Sequence, residues 1–260
     1  MSNESVKKTV IVATVLSIAC SIALAAAVTL LKPIQAENKE LEKQRKILAA
    51  AGVLEEGKGS KAEVNALFAG LERYLVSIDS GEFRKIELDD SFDQRKASKD
   101  PKRSIRLTGE QDIASIKRRA NEADVYVLRG ADGKAEKLIL PVSGYGLWST
   151  LYGYLVVGSD GNTVGGITFT EHAETPGLGG EVDNPKWRSL WPGKQLYNAE
   201  QKPVLHLAKS VDLSRPEAVH QVDALSGATL TSNGVTRLVQ FWAGDLGFQK
   251  FLGKIREEGI

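Results

Sequence analysis

The chain has 260 residues, 42% of them hydrophobic, enough to bury one substantial core or two small ones. Its 34 basic and 33 acidic residues leave a formal net charge of +1. That balance lacks the basic excess that phosphate backbones select, which argues against nucleic acid as the main partner. Cys20 is the single cysteine, so no intramolecular disulfide and no cysteine-held zinc or iron–sulfur centre can form within the chain. Any redox function therefore falls to a bound organic cofactor.

Residues 9–31 contain no charged residue, no Gly and no Pro. As a helix this run would be roughly 34 Å long at about 1.5 Å per residue, enough to cross a hydrocarbon core of about 30 Å. Lys7 and Lys8 precede it and Lys32-Pro33 closes it. The competing reading is a cleaved signal peptide, because Ala25-Ala26-Ala27 resembles an A-x-A site, but signal h-regions run only about 7–15 residues. Ser17-Ile18-Ala19 ahead of Cys20 lacks the leucine of a lipoprotein box. Lys32, Lys39, Lys43, Arg45 and Lys46 come after the span, so local charge does not favour an inside N-terminus. Both readings nevertheless export the C-terminal part of the chain. Having no acidic or basic side chain, the span reads as an anchor and not as an ion path.

From residue 34 to 51 the chain reads as a charged helix with few apolar positions (Leu41, Ile47, Leu48), a stalk supported by Glu42 and Lys46 at i,i+4 spacing. Gly52 and the stretch 55–60 break it. A second helix opens at Ser60, with Val64, Leu67, Phe68, Leu71, Leu75 and Ile78 at helical spacing. Residues 91–106, with Arg95, Lys96, Lys99, Lys102, Arg103 and Arg106, read as a solvated basic loop in preference to a lipid or partner surface. Residues 125–128 and 138–140 flank Ala131-Asp132-Gly133-Lys134 as a hairpin, and residues 154–157 and 164–169 flank Ser159-Asp160-Gly161-Asn162 as another. Strands followed by a Gly-rich loop and a helical C-terminus indicate an α+β domain with an antiparallel sheet.

Two segments carry candidate chemistry. Ser226-Gly227-Ala228-Thr229 precedes a helical pattern through Val235, Leu238, Val239 and Trp242. A small-residue turn opening a helix presents unpaired N–H groups and the positive end of the dipole, which suits a phosphate. The residues alone favour a simpler reading, in which Ser226, Thr229, Thr231 or Ser232 caps the helix. The second segment is Glu171-His172-Ala173-Glu174-Thr175-Pro176-Gly177-Leu178-Gly179. Pro176-Gly177 favours a turn, and Gly179-Gly180 would let main chain approach a planar ligand. Of the four tryptophans, Trp148 is the candidate for stacking, and Trp187, Trp191 and Trp242 read as core. His172, His206 and His220 are too dispersed for a metal site, and His172 reads as a hydrogen-bonding loop residue. The chain has no G-x-S-x-G elbow, P-loop or Rossmann fingerprint.

Asp223-x-x-Ser226-Gly227-Ala228-Thr229 resembles the flavinylation signature of the FMN-binding domains in sodium-translocating NADH:quinone oxidoreductases and the related Rnf complexes. Residues 174–179 are similar to that family's E-T-P-G-L-G loop. Gly144-Tyr145-Gly146-Leu147-Trp148 resembles its glycine-rich strand entry, although Rnf-type members tend to read G-Y-x-G there. The length, and the material between the second helix and the first hairpin, look more like the C subunits of the sodium pump than like the shorter Rnf counterpart.

The resemblance covers essentially the whole chain and implies several things. The cofactor would be FMN, attached covalently through its phosphate to Thr229 by a flavin transferase that uses FAD. Ser226, Gly227, Ala228, Asp223, Glu174, Thr175, Gly177, Leu178 and Trp148 would be the other cofactor-binding residues, Asp223 through recognition by the transferase or as a plain turn former. The protein would be an electron-carrier subunit among other membrane subunits of an NADH:quinone reductase. The expected division is a cytoplasmic tail (1–8), a transmembrane helix (9–31), a stalk helix and linker (32–59) and a periplasmic FMN-binding domain (60–260), single-pass in a bacterial inner membrane. The alternatives are a flavinylated subunit of an Rnf-type complex, or a membrane-anchored flavin module without turnover.

Overall fold

The computed structural model describes residues 5–88 and 90–260, so the first four residues of the expected tail lie outside it. The chain divides into two compact units, Met1–Lys43 and Gln44–Ile260. Helix α1 (Val6–Ala50) belongs to both. From Val6 to Ile34 its apolar side chains, among them Val10, Ile11, Leu16, Ile22, Leu24 and Leu30, are exposed. The hydroxyls of Thr14 and Thr29 turn back onto the carbonyls of Val10 and Ala25 at 2.8 Å, so these polar groups are satisfied within the helix. Such a helix, apolar, unburied and internally satisfied, fits a single-pass membrane anchor.

In the second unit α2 (Lys61–Ala69) is capped by Ser60, whose hydroxyl accepts from Glu63 N. There follow β1 (Glu72–Ser77), β2 (Phe83–Ile86), α3 (Gln94–Lys99), β3 (Ser104–Arg106), β4 (Arg118–Ala120), β5 (Glu122–Arg129), β6 (Ala135–Tyr145), β7 (Thr150–Gly158) and β8 (Val164–Glu171). The chain then forms α4 (Pro185–Arg188), β9 (His206–Ala208), β10 (Gln221–Asp223), α5 (Thr229–Ala243) and α6 (Gln249–Glu258). Six strands make one antiparallel sheet in the order β2-β1-β5-β6-β7-β8. The α+β class and both expected hairpins are present. The short β9–β10 pair is parallel, a feature the residue pattern does not announce.

Both faces of the sheet are covered. Val125, Val127, Leu138, Leu140 and Leu155 join Val235, Leu238, Trp242, Phe251 and Leu252 of α5 and α6 in the main core. The alternate residues face the other way, as the period of two requires. There Phe68 of α2 meets Tyr126 edge-on at 5.2 Å, and Gly166 leaves room for the last turn of α1. A Cβ on Gly166 would lie 2.5 Å from the Ala50 carbonyl oxygen.

Three expectations are corrected. The charged helix after the span is not a stalk throughout, because Ile47 and Leu48 are fully buried and its last turns belong to the folded unit. The helix opening at Ser60 stops at Ala69, and Leu75 lies in β1, a strand buried on both faces and therefore without alternation. Residues 91–106 are not a plain loop. Asp93 caps α3 by accepting from Lys96 N at 3.0 Å, Ala97 is buried, and β3 pairs with β4.

Candidate functional site

Strands β6 and β8 both run antiparallel to β7, so the end of β6, the start of β7 and the end of β8 share one end of the sheet. The N-terminus of α5 arrives at the same end. A Cβ on Gly234 would sit 2.5 Å from the Tyr145 carbonyl oxygen and 3.0 Å from Gly146 Cα, so only glycine lets the helix lie this close to the strand end. Three segments thereby meet: the turn at 146–149, the loop after β8, and residues 225–231.

Glu174 joins them. It is 5% exposed. Its carboxylate accepts the Leu147 amide at 3.1 Å, the Trp148 amide at 3.0 Å, the Ser149 amide at 3.4 Å and the Thr231 hydroxyl at 2.6 Å. Gly146 and Gly179 leave room for it, since a Cβ on either would come within 2.7 Å of a carboxylate oxygen. Burial alone would raise the Glu174 pKa. The Thr231 hydroxyl and the amides of Trp148, Leu147 and Ser149 more than offset that and hold it below the ordinary carboxylate range.

A depressed carboxylate contributes its full stabilisation above the unfolded-state pKa and loses it as the pH falls through the folded value. The Leu147 and Trp148 amide chemical shifts should therefore be steady around neutrality and move with a midpoint below that of an ordinary glutamate. Movement centred near neutrality would contradict the arrangement.

Glu174 thus has a different place from the one its loop suggests in sequence. Its oxygens are spent inside the protein, and it lies beneath the site. Gly179 likewise packs against Thr231 and Glu174 and does not open onto a ligand. The other expected residues come together at the surface. Thr175, Gly177 and Leu178 are exposed; the Leu178 N–H closes a turn onto the Thr175 carbonyl at 3.1 Å, with Gly177 at φ 76° as a type II turn requires. Trp148 is 64% exposed. Tyr145, Leu147, Leu178 and Leu230, on the same three segments, are exposed apolar residues too, and of the five only Trp148 and Leu178 are named as cofactor-binding from the sequence. Trp187 and Trp242 are core, their ring N–H groups donating to the Asp223 and Ser143 carbonyls.

Helix α5 begins with Ala228 at the N-cap position and no side-chain cap. The hydroxyls that could have capped it are employed elsewhere or turned outward. Ser232 accepts from Leu225 N and donates to the Ala228 carbonyl, both at 3.0 Å, and Thr231 donates to Glu174. Both are buried, whereas Ser226 and Thr229 are exposed. Gly227 turns the chain into the helix at φ 71°. The result is an open, positive helix end with an exposed threonine in its first turn, among segments that carry exposed apolar side chains. These residues fit a phosphate and a planar aromatic group. Asp223 ends β10 just ahead of the 226–229 turn, and its carboxylate accepts Val211 N at 2.9 Å.

Known proteins resemble this chain along most of its length. Residues 146–244 match the FMN-binding domain family. The chain is 50% identical over 98% of its length to the Na(+)-translocating NADH-quinone reductase C subunit of Pseudomonas aeruginosa, covering 98% of that protein. It is 48% identical over its full length to the Vibrio vulnificus protein of the same name, of which it covers 99%. The crystal structure of Shewanella oneidensis NqrC superposes with a TM-score of 0.76 at 39% identity, over 85% of this chain and 99% of that one.

Proposed function

This chain belongs to the family of Na(+)-translocating NADH-quinone reductase C subunits, and from that premise we propose that it carries electrons within such a complex on an FMN esterified to Thr229. The observation that carries the proposal is the uncapped N-terminus of α5, with the exposed Thr229 hydroxyl in its first turn. First-turn amides and the positive dipole end hold the phosphate there, with Ser226 and the close approach at Gly227 and Ala228 beside it. Trp148 and Leu178 offer apolar surface to the ring, with Thr175 and Gly177 in the adjoining turn. When bound, the flavin supplies the capacity to accept and release electrons that the side chains lack. Glu174 acts from below, holding the Trp148 turn and the first turn of α5 in fixed relation.

The chain has no dinucleotide fingerprint of its own, so NADH oxidation and quinone reduction belong to partner membrane subunits. Attachment belongs to a flavin transferase, for which the exposed 226–229 turn is an accessible acceptor. Asp223 contributes to that recognition through its surface position. The full-length chain, produced with a flavin transferase and purified alone, should give a fluorescent band at its own mass on a denaturing gel. The same preparation should show no NADH:quinone turnover. A colourless band, or robust turnover, would overturn the reading.

The anchor holds the chain in the inner membrane through residues 9–31, with residues 1–8 cytoplasmic and the FMN-binding domain periplasmic from residue 60, beyond the 32–59 segment. Two observations support the span itself: the length of the apolar run and its exposed side chains. Protease added to intact spheroplasts should digest the domain. Protection there, or a mature N-terminus near Val28, would sink the topology.

A further inference from the structure

A chain of polar contacts leads from Glu174 back to the last turns of α1. Lys46, in the part of α1 that belongs to the folded unit, donates from Nζ to the Phe169 carbonyl at 2.9 Å and to Asp183 Oδ2 at 3.1 Å. The same carboxylate oxygen meets His172 Nε2 at 3.2 Å. On the other side of the ring, His172 Nδ1 lies 3.2 Å from the Glu174 main-chain nitrogen.

That last contact decides the tautomer. An amide N–H only donates, so Nδ1 must present its lone pair, and the proton of a neutral ring sits on Nε2, aimed at Asp183. Asp183 is suited to receive it. Burial raises its pKa, but His172 and Lys46 more than offset this and keep the carboxyl ionised, below its ordinary range. From Glu174 the contacts continue through its carboxylate to Leu147, Trp148 and Thr231.

We propose that His172 is a positioning residue for the flavin site, a two-sided link that fixes the Glu174 main chain to the Asp183–Lys46 pair and so aims the carboxylate that holds the Trp148 turn and Thr231. Its functional meaning rests on the flavin reading above, although the contacts themselves do not. The competing account is local: His172 merely accepts the N–H two residues further on, as polar side chains in turns often do. In that account Lys46 has no bearing on the turn at 147–149, which it does not touch.

Amide hydrogen exchange separates the two in the full-length chain, purified in detergent after production without a flavin transferase. His172→Asn places a carbonyl oxygen where Nδ1 stood, so the Glu174 N–H keeps an acceptor, but no atom remains to reach Asp183. Lys46→Met removes the far end of the link. The proposal expects both variants to speed exchange at residues 147–149 by about fivefold, the loss of one hydrogen bond's net contribution, with exchange in β6 and β7 unchanged. Wild-type exchange at 147–149 in either variant overturns it. If either variant loosens β6 and β7 as well, Asp183→Asn, which keeps the shape and removes the charge, decides on the same readout: faster exchange confined to 147–149 supports the link, and none overturns it. Because the measurement uses flavin-free protein, it can fail while Thr229 remains the acceptor, and the acceptor can prove to be another residue while the link stands.

Discussion

Thr229→Val is expected to yield a chain that folds normally but carries no covalent flavin, colourless on purification and dark on a denaturing gel. Valine keeps the shape of threonine and removes only the hydroxyl. Since Thr229 is exposed, the stability change should stay within about 0.5 kcal/mol. The control is Thr231→Val. Thr231 is 1% exposed and its hydroxyl donates to Glu174 at 2.6 Å, so no transferase can reach it without unpacking the first turn of α5. That variant should keep its flavin and lose about 1.5–3 kcal/mol, the value of a hydrogen bond to a charged acceptor. Ser232 is excluded on the same grounds, being 3% exposed and doubly bonded. Ser226 is the remaining exposed hydroxyl of the stretch, and it precedes the helix where Thr229 begins it. Peptide mass spectrometry of the wild-type chain therefore discriminates between two residues. Flavin phosphate on Ser226, or a fluorescent Thr229→Val protein, would show that the acceptor is misassigned.

Glu174→Ala should be the most destabilising single substitution at the site. It removes the acceptor of three amides and one hydroxyl at once. Each bond to an ionised acceptor is worth roughly 1.5–3 kcal/mol, but the values do not add, because the exposed turn at 147–149 can rehydrate while the buried Thr231 hydroxyl cannot. A net loss of about 3 kcal/mol follows, seen as a fall in melting temperature of about 6–12 °C for a domain of this size. Glu174→Gln should be milder, since its Oε1 can keep the three amides and its NH2 can donate to the Thr231 hydroxyl, which leaves the lost charge as the main cost. The loss in Glu174→Ala should be accompanied by disorder of the Trp148 turn, visible in the amide spectrum of residues 147–149. A change below about 0.5 kcal/mol would mean that Glu174 is not the group that holds the three segments together.

Much of this protein is legible without coordinates because the relevant signals are local. The membrane helix is a continuous apolar run. The two hairpins announce themselves through Asp-Gly turns between β-branched runs. The Ser226-Gly227-Ala228-Thr229 turn is a short motif whose residues adjoin one another in the chain. Even so, the choice between capping and phosphate binding was not available locally. What the structure shows is that two of the possible caps are engaged elsewhere, Ser232 with Leu225 and Ala228 and Thr231 with Glu174, 57 residues away in sequence.

What the amino-acid sequence determined by itself is the N-terminal apolar helix, the α+β class and the hairpin pairs, each encoded by neighbours along the chain. What only the tertiary structure decided is everything that depends on two covered faces and on residues far apart. Strand β1 is buried on both sides, so it shows no alternation and reads as helix. Ile47 and Leu48 look too sparse to bury a helix until the sheet face is there to receive them. Glu174 looks like a ligand contact because it sits in a glycine-rich loop. Its role as a buried clamp emerges only when β6, β8 and α5 converge, because a carboxylate can be held ionised out of water only where several donors from distant segments are brought around it.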